Sequence, residues 1–123
     1  MRKETITFDF DITLKVTDDV ANDIFVALFR HLQVDNEIHI VTTRTKTSAN
    51  IAEINGFLDS HGLNADGVWF TNHDMKIRTL SKLDSCLHFD DDPDEIALCR
   101  NAGIVAVNTF RPELWDVWLN TAR

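Results

Sequence analysis

Cysteine is scarce in this chain of 123 residues, and basic charge is outnumbered. The two cysteines, Cys86 and Cys99, form no C-x-x-C pair and no metal-ligand spacing with histidine. They are therefore read as buried free thiols rather than a redox or zinc centre. No apolar run approaches the roughly 20 residues of a membrane span, and Met1-Arg2-Lys3-Glu4 carries no signal-peptide core. The expectation is a cytoplasmic protein with no membrane partner. Twelve Lys and Arg stand against twenty Asp and Glu, and the net charge of −8 argues against a general nucleic-acid binder. A site that accepts one phosphorylated end stays compatible with that balance. Internal repeats, linkers and low-complexity segments are also missing. The length fits one domain, residues 1–123, with a core that needs no disulfide or structural metal.

What is present is a regular alternation of strand and helix patterns. Residues 3 to 8 read as a strand. A helix capped by Asp18 or Asp19 is expected next, with Val20, Ile24, Phe25, Leu28, Phe29 and Leu32 at helical spacing and an end near Gln33. Ile38-His39-Ile40-Val41 reads as a second strand, with His39 a sheet residue rather than a ligand. Ser48 starts a second helix with Ile51, Ile54, Phe57 and Leu58 on one face, and Gly62 supplies a left-handed cap. Gly67 to Thr71 is a third strand, and Asp74 opens a short helix bearing Lys76. Cys86 to Phe89 is a fourth strand, Asp92-Pro93 begins another helix that ends at Asn101-Ala102-Gly103, and Ile104 to Val107 is a fifth strand. A last short helix from Pro112 carries Trp115 and Trp118, expected to pack on the domain.

This alternation predicts an α/β fold: a mainly parallel, five-stranded sheet with helices on both faces, a three-layer Rossmann-like arrangement. Right-handed crossovers bring the C-terminal ends of all strands to one edge, where open α/β sheets bind ligands. The residues at that edge are chemically selective. Strand one ends in Asp9 and Asp11, whose i, i+2 spacing can aim both carboxylates at one point. Two acids that close repel unless a proton or a cation intervenes. Strand two ends in Thr42, strand four in Asp90 and Asp91, and Lys76 follows strand three. Asp90, Asp91, Asp92, Asp94 and Glu95 crowd six positions, either as a solvated loop or as a divalent-cation site.

These residues and their order resemble the haloacid dehalogenase (HAD) superfamily, mostly phosphatases and phosphotransferases, over nearly the whole chain. Asp9-Phe10-Asp11-Ile12-Thr13 resembles the family's D-x-D-x-T motif. Ile38 to Thr42 resembles its strand ending in Thr or Ser, Lys76 its lone lysine, and Phe89-Asp90-Asp91 its paired acids. Ile12 departs from the family, many of whose members carry Gly or another small or polar residue there.

The resemblance implies a Mg²⁺-dependent phosphomonoesterase. Asp9 would be the nucleophile and Asp11 the general acid and base. Mg²⁺ would lie between Asp9, the Asp11 main-chain carbonyl and Asp90, with Asp91 holding it directly or through water. Lys76 and Thr42 would hold the phosphoryl group. Thr43 is an alternative to Thr42, and Asp91-Asp92 to Asp90-Asp91, with strand periodicity favouring the earlier acids. Thr13 is expected to tie down the acidic loop, and Arg44 either to bind substrate or to be solvated. The intervals from Asp11 to Thr42 and from Thr42 to Lys76 leave no room for a cap domain. The lid would then come from a large substrate or from a neighbouring subunit in a homo-oligomer. Expected substrates are a nucleotide, a phosphorylated nucleic-acid end or another small phosphate. Two other readings compete. A two-component receiver gathers similar residues in a different order, and a HAD-like binding or regulatory module would keep the fold without the catalysis.

Overall fold

Period-two alternation in the first strand sets the architecture. Ile6, Phe8 and Phe10 fall on one side and Thr7 and Asp9 on the other, so one segment supplies both a core face and a polar face. A computed structural model of the chain describes residues 4–17 and 20–109. In chain order its elements are β1 (Thr5–Phe8), β2 (Lys15–Thr17), β3 (Val20–Ala21), α1 (Asp23–Leu32), β4 (Glu37–Thr42) and α2 (Ser48–His61). They continue with β5 (Gly67–Phe70), α3 (Ile77–Lys82), β6 (Leu87–Asp90), α4 (Pro93–Asn101) and β7 (Val105–Asn108).

Five strands form one sheet in the order β5-β4-β1-β6-β7, and every pairing in it is parallel. β1 is central, with Phe8 opposite Ile40 on one side and Phe89 on the other. On one face, Ile6, Phe8, Ile38, Ile40 and Phe89 pack with Phe25 and Phe29 of α1 and Ile54 and Leu58 of α2. Phe8 stacks on Phe89 with ring centroids 4.6 Å apart, and Phe29 closes on Phe8 at 5.0 Å. Each such fully buried ring contributes about 1.5–3 kcal/mol. On the other face, Val41 and Ala106 meet Leu80 of α3 and Ile96 and Cys99 of α4. This is the expected three-layer, Rossmann-like fold. Among the described residues there is no cap, and none of their helices is long and apolar enough to cross a membrane.

The first helix begins later than its apolar spacing suggests. Val20 and Ala21 pair antiparallel with Thr17 and Lys15 as a small hairpin, β2-β3. The N-cap is Asn22, whose side chain accepts from the Phe25 N–H, and Val20 and Ile24 are exposed. Hairpin pairing thus claims the first residue of a helical stripe. Asp18 and Asp19 lie outside the described residues, as does the segment from 110 to 123 that includes the expected tryptophan helix. The second helix runs as expected to His61 and Gly62, and Gly62 takes the left-handed φ of 67° that its Leu63 N–H to Leu58 carbonyl closure requires. Its cap is Thr47, whose hydroxyl accepts from the Asn50 N–H at 3.1 Å. α3 starts at Ile77, so Lys76 sits on the preceding turn rather than within the helix, and Asp74 spends its carbonyl on the Thr71 hydroxyl. Cys99 is buried as expected, but Cys86 is exposed at the entry to β6.

Candidate functional site

Loops leaving the C-terminal ends of β1, β4, β5 and β6 meet at a depression of about 190 Å³. Its wall is made by Asp9, Asp11, Ile12, Thr43, Lys76 and the acids Asp90, Asp91, Asp92 and Glu95. Residues up to 86 positions apart line it, brought together by the parallel registers, with the Asp9 N–H donating to the Phe89 carbonyl at 2.8 Å.

Lys76 is the hub. It is 2 % exposed, and its Nζ donates to Asp9 Oδ1 at 2.7 Å and to Asp90 Oδ2 at 2.6 Å. Burial alone would lower its pKa, but the two carboxylates overcome that and raise it above the ordinary lysine value. Asp9 also receives the Thr13 hydroxyl on Oδ2 at 3.2 Å, so Thr13 does brace the acidic loop. Burial raises the Asp9 pKa well above the carboxylate range, with Lys76 offsetting part of the effect. Asp90 goes the other way. Burial pushes it up, yet the hydrogen bond from His88 and the charge of Lys76 together hold it well below its ordinary value.

Asp9, Asp90 and Asp91 each bring a carboxylate oxygen within 4.8 Å of the others. With all three ionised, three carboxylates against one ammonium leave an excess of two negative charges in an all-oxygen setting, the donor set that suits a hard divalent cation. The earlier acid pair is the one that joins Asp9. Asp92 is committed elsewhere: it caps α4, its carboxylate accepting from the Asp94 N–H at 2.9 Å.

Thr42 is buried, and its hydroxyl accepts from the Arg44 N–H, whereas Thr43 lines the depression. Arg44 is half-buried and paired. Its Nε and Nη2 clasp both oxygens of Asp11 at 2.9 and 2.7 Å, and Nη2 also reaches Glu53. The guanidinium lies over the Phe10 ring, 5.3 Å from its centroid. Asp11 therefore faces the same depression as Asp9 but with its carboxylate held by Arg44. Ile12, the departure from the family motif, adopts a left-handed φ of 65° and leaves its side chain exposed on the wall. That conformation is costly for a β-branched residue.

The parts played by two buried residues are not read from the sequence. Glu95 is 2 % exposed and accepts the Lys76 main-chain N–H on both oxygens, at 3.0 and 3.3 Å. The Asp92-x-x-Glu95 spacing is that of a capping box, but Glu95 turns from its own helix to hold the lysine loop. His88 is fully buried beneath Asp90. Its i−2 position on β6 was the available signal, since residues two apart on a strand share a face.

No family model matches the chain, and no curated protein does. Among solved structures, the chain is similar in fold to a chain of the "Structure of Pnkp1/Rnl/Hen1 complex", with a TM-score of 0.66 at 14% sequence identity. The match covers 85% of this chain and 45% of that one, so this chain spans less than half the length of that relative.

Proposed function

We propose that the chain is a Mg²⁺-dependent phosphomonoesterase of the HAD kind, acting through an aspartyl-phosphate. The observation that carries this reading is Lys76 bridging Asp9 and Asp90 inside an oxygen cluster that Asp91 completes. In the first displacement an Asp9 oxygen bonds to phosphorus while the ester P–O bond breaks, and Asp11 gives its proton to the departing oxygen. In the second, water attacks the phosphoryl group, Asp11 takes the water's proton and the Asp9–phosphorus bond breaks. Lys76 neutralises charge on Asp9 and on the phosphoryl oxygens, and Thr42, or Thr43 on the wall, would donate a hydroxyl to them. Asp9, Asp90 and Asp91 would hold the Mg²⁺, which supplies electrostatic stabilisation of the transferring group.

Both Asp11 oxygens accept from Arg44, so a proton carried by Asp11 must use the second lone pair of an oxygen that the guanidinium already engages. The same contact favours a second reading, a metal-binding regulatory module without turnover. The two are separated by Asp9→Asn and by p-nitrophenyl phosphate. The wild type should release phosphate only with Mg²⁺, and the variant should lose at least 10³-fold of that rate. No turnover by the wild type, and no trapping of beryllofluoride on Asp9, would favour the module.

The substrate is a phosphorylated small molecule or a phosphorylated macromolecular end. Support comes from the shallow acidic depression, open because no cap covers it among the described residues. A panel of nucleotides, sugar phosphates and phosphorylated oligonucleotide ends identifies the class by kcat/KM.

A further inference from the structure

Beneath the acid cluster a line of polar side chains runs along the paired strands β1 and β6. Thr7 and His88 are register partners, and each precedes a site acid by two residues, Asp9 and Asp90. All four therefore share a face, opposite the one that carries Phe8 and Phe89. His88 and Thr7 are wholly buried and Ser85 is 6 % exposed. His88 Nε2 stands 2.8 Å from Asp90 Oδ2, and its Nδ1 stands 2.8 Å from the Thr7 hydroxyl, which meets the Ser85 hydroxyl at 2.8 Å. Polar groups this deep survive only when partnered. An apolar residue at position 88 would match Ala106, its register partner on β7, more simply.

Counting acceptor capacity shows what the line does. A carboxylate only accepts, so Nε2 of His88 carries the proton and donates it. Asp90 Oδ2 thus receives two donors, His88 and Lys76, and both its lone pairs are engaged. Oδ1 receives one, the Asp92 N–H at 3.0 Å, and keeps one lone pair. With Oδ2 anchored from below, the remaining capacity of Asp90 is confined to Oδ1.

We propose that His88 is a positioning residue: braced by Thr7 and Ser85, it fixes the Asp90 carboxylate so that Oδ1 is the atom left for a divalent cation. The inference rests on the phosphatase reading only in needing that cation, and it adds a residue acting through a metal ligand. Such partners commonly set 10- to 100-fold in metal affinity.

The test compares His88→Leu, which removes the donor, with His88→Gln, which keeps an N–H of similar reach. Mg²⁺ binding to the full chain is measured by isothermal titration calorimetry, with circular dichroism to confirm folding. His88→Leu should weaken Mg²⁺ binding by at least tenfold, and His88→Gln should stay within about threefold of the wild type. Thr7→Val, which frees the ring without touching an acid, should fall between them, and it replaces His88→Leu if that variant does not fold. A long-range ¹H–¹⁵N spectrum of the wild type should show a protonated Nε2 on His88. Equal Mg²⁺ affinity in wild type, His88→Leu and Thr7→Val overturns the proposal while leaving the phosphatase reading intact. Absence of Mg²⁺ binding in the wild type overturns both. Intact Mg²⁺ binding without phosphatase activity overturns the phosphatase reading alone.

Discussion

Asp9 is where stability and chemistry pull apart. Its carboxylate is buried, and its pKa is raised because the folded state disfavours the ionised form. At neutral pH an ionised Asp9 therefore costs stability, and a neutral isostere removes that cost. Asp9→Asn is expected to raise the unfolding midpoint in metal-free buffer while abolishing turnover, a separation that differential scanning calorimetry beside the phosphatase assay would check. Lys76 keeps Asp90 as partner in that variant, so the lysine is not stranded. A lower metal-free midpoint for Asp9→Asn would mean that Lys76 outweighs burial at this residue. Ile12 is a second residue where local preference is overridden. Its departure from the small residue of the resembled motif was visible in the sequence, but its left-handed backbone was not, because propensity disfavours that conformation for a β-branched side chain.

Between elements, the clearest tie is ionic. Glu53 on α2 accepts from Arg44 beyond β4 and pairs with Lys15 on β2, and these contacts lower its pKa to about 2. A carboxylate whose folded pKa is depressed contributes stability above its unfolded pKa and loses it as pH falls toward the folded one. Stability should thus decline as pH drops from about 4.5 toward 2, and Asp90, also depressed, adds to the same limb. Urea unfolding against pH should show a shallower acid limb in Glu53→Gln than in the wild type. Exposure keeps the effect modest. This scale also shows what the sequence could and could not disclose. Existence, order and type of the five sheet strands were legible from apolar runs bounded by turn residues, and the rim acids from their places after those runs. The β2-β3 hairpin was hidden because Val20 satisfies both a helical stripe and a two-residue strand. The Arg44–Asp11 clasp was hidden because it joins loops 33 positions apart, and nothing local distinguishes a clasping arginine from a solvated one. Glu95 was hidden because its partner is a main-chain N–H, which leaves no trace in side-chain identity.

For the molecule as a whole, the excess of acid is concentrated where charge can be discharged by binding. A cation that binds the folded chain and not the unfolded one stabilises it by mass action, about 2.7 kcal/mol at a hundred times the dissociation constant. Millimolar Mg²⁺ is therefore expected to raise the thermal midpoint, EDTA to reverse the shift, and equal ionic strength of NaCl to leave most of it unreproduced. Equivalent stabilisation by NaCl would assign the effect to general screening and not to the Asp9, Asp90 and Asp91 cluster.

The central place of β1 has a kinetic consequence. Its two neighbours lie about 30 and 80 residues further along the chain, so during synthesis it waits for both with hydrogen-bonding edges bare. Closing such distant pairings is slow because loop entropy is lost before contacts repay it. A nascent chain halted before Leu87 would expose one side of β1 to other polypeptides, and chaperone dependence or deposition would follow from that pause.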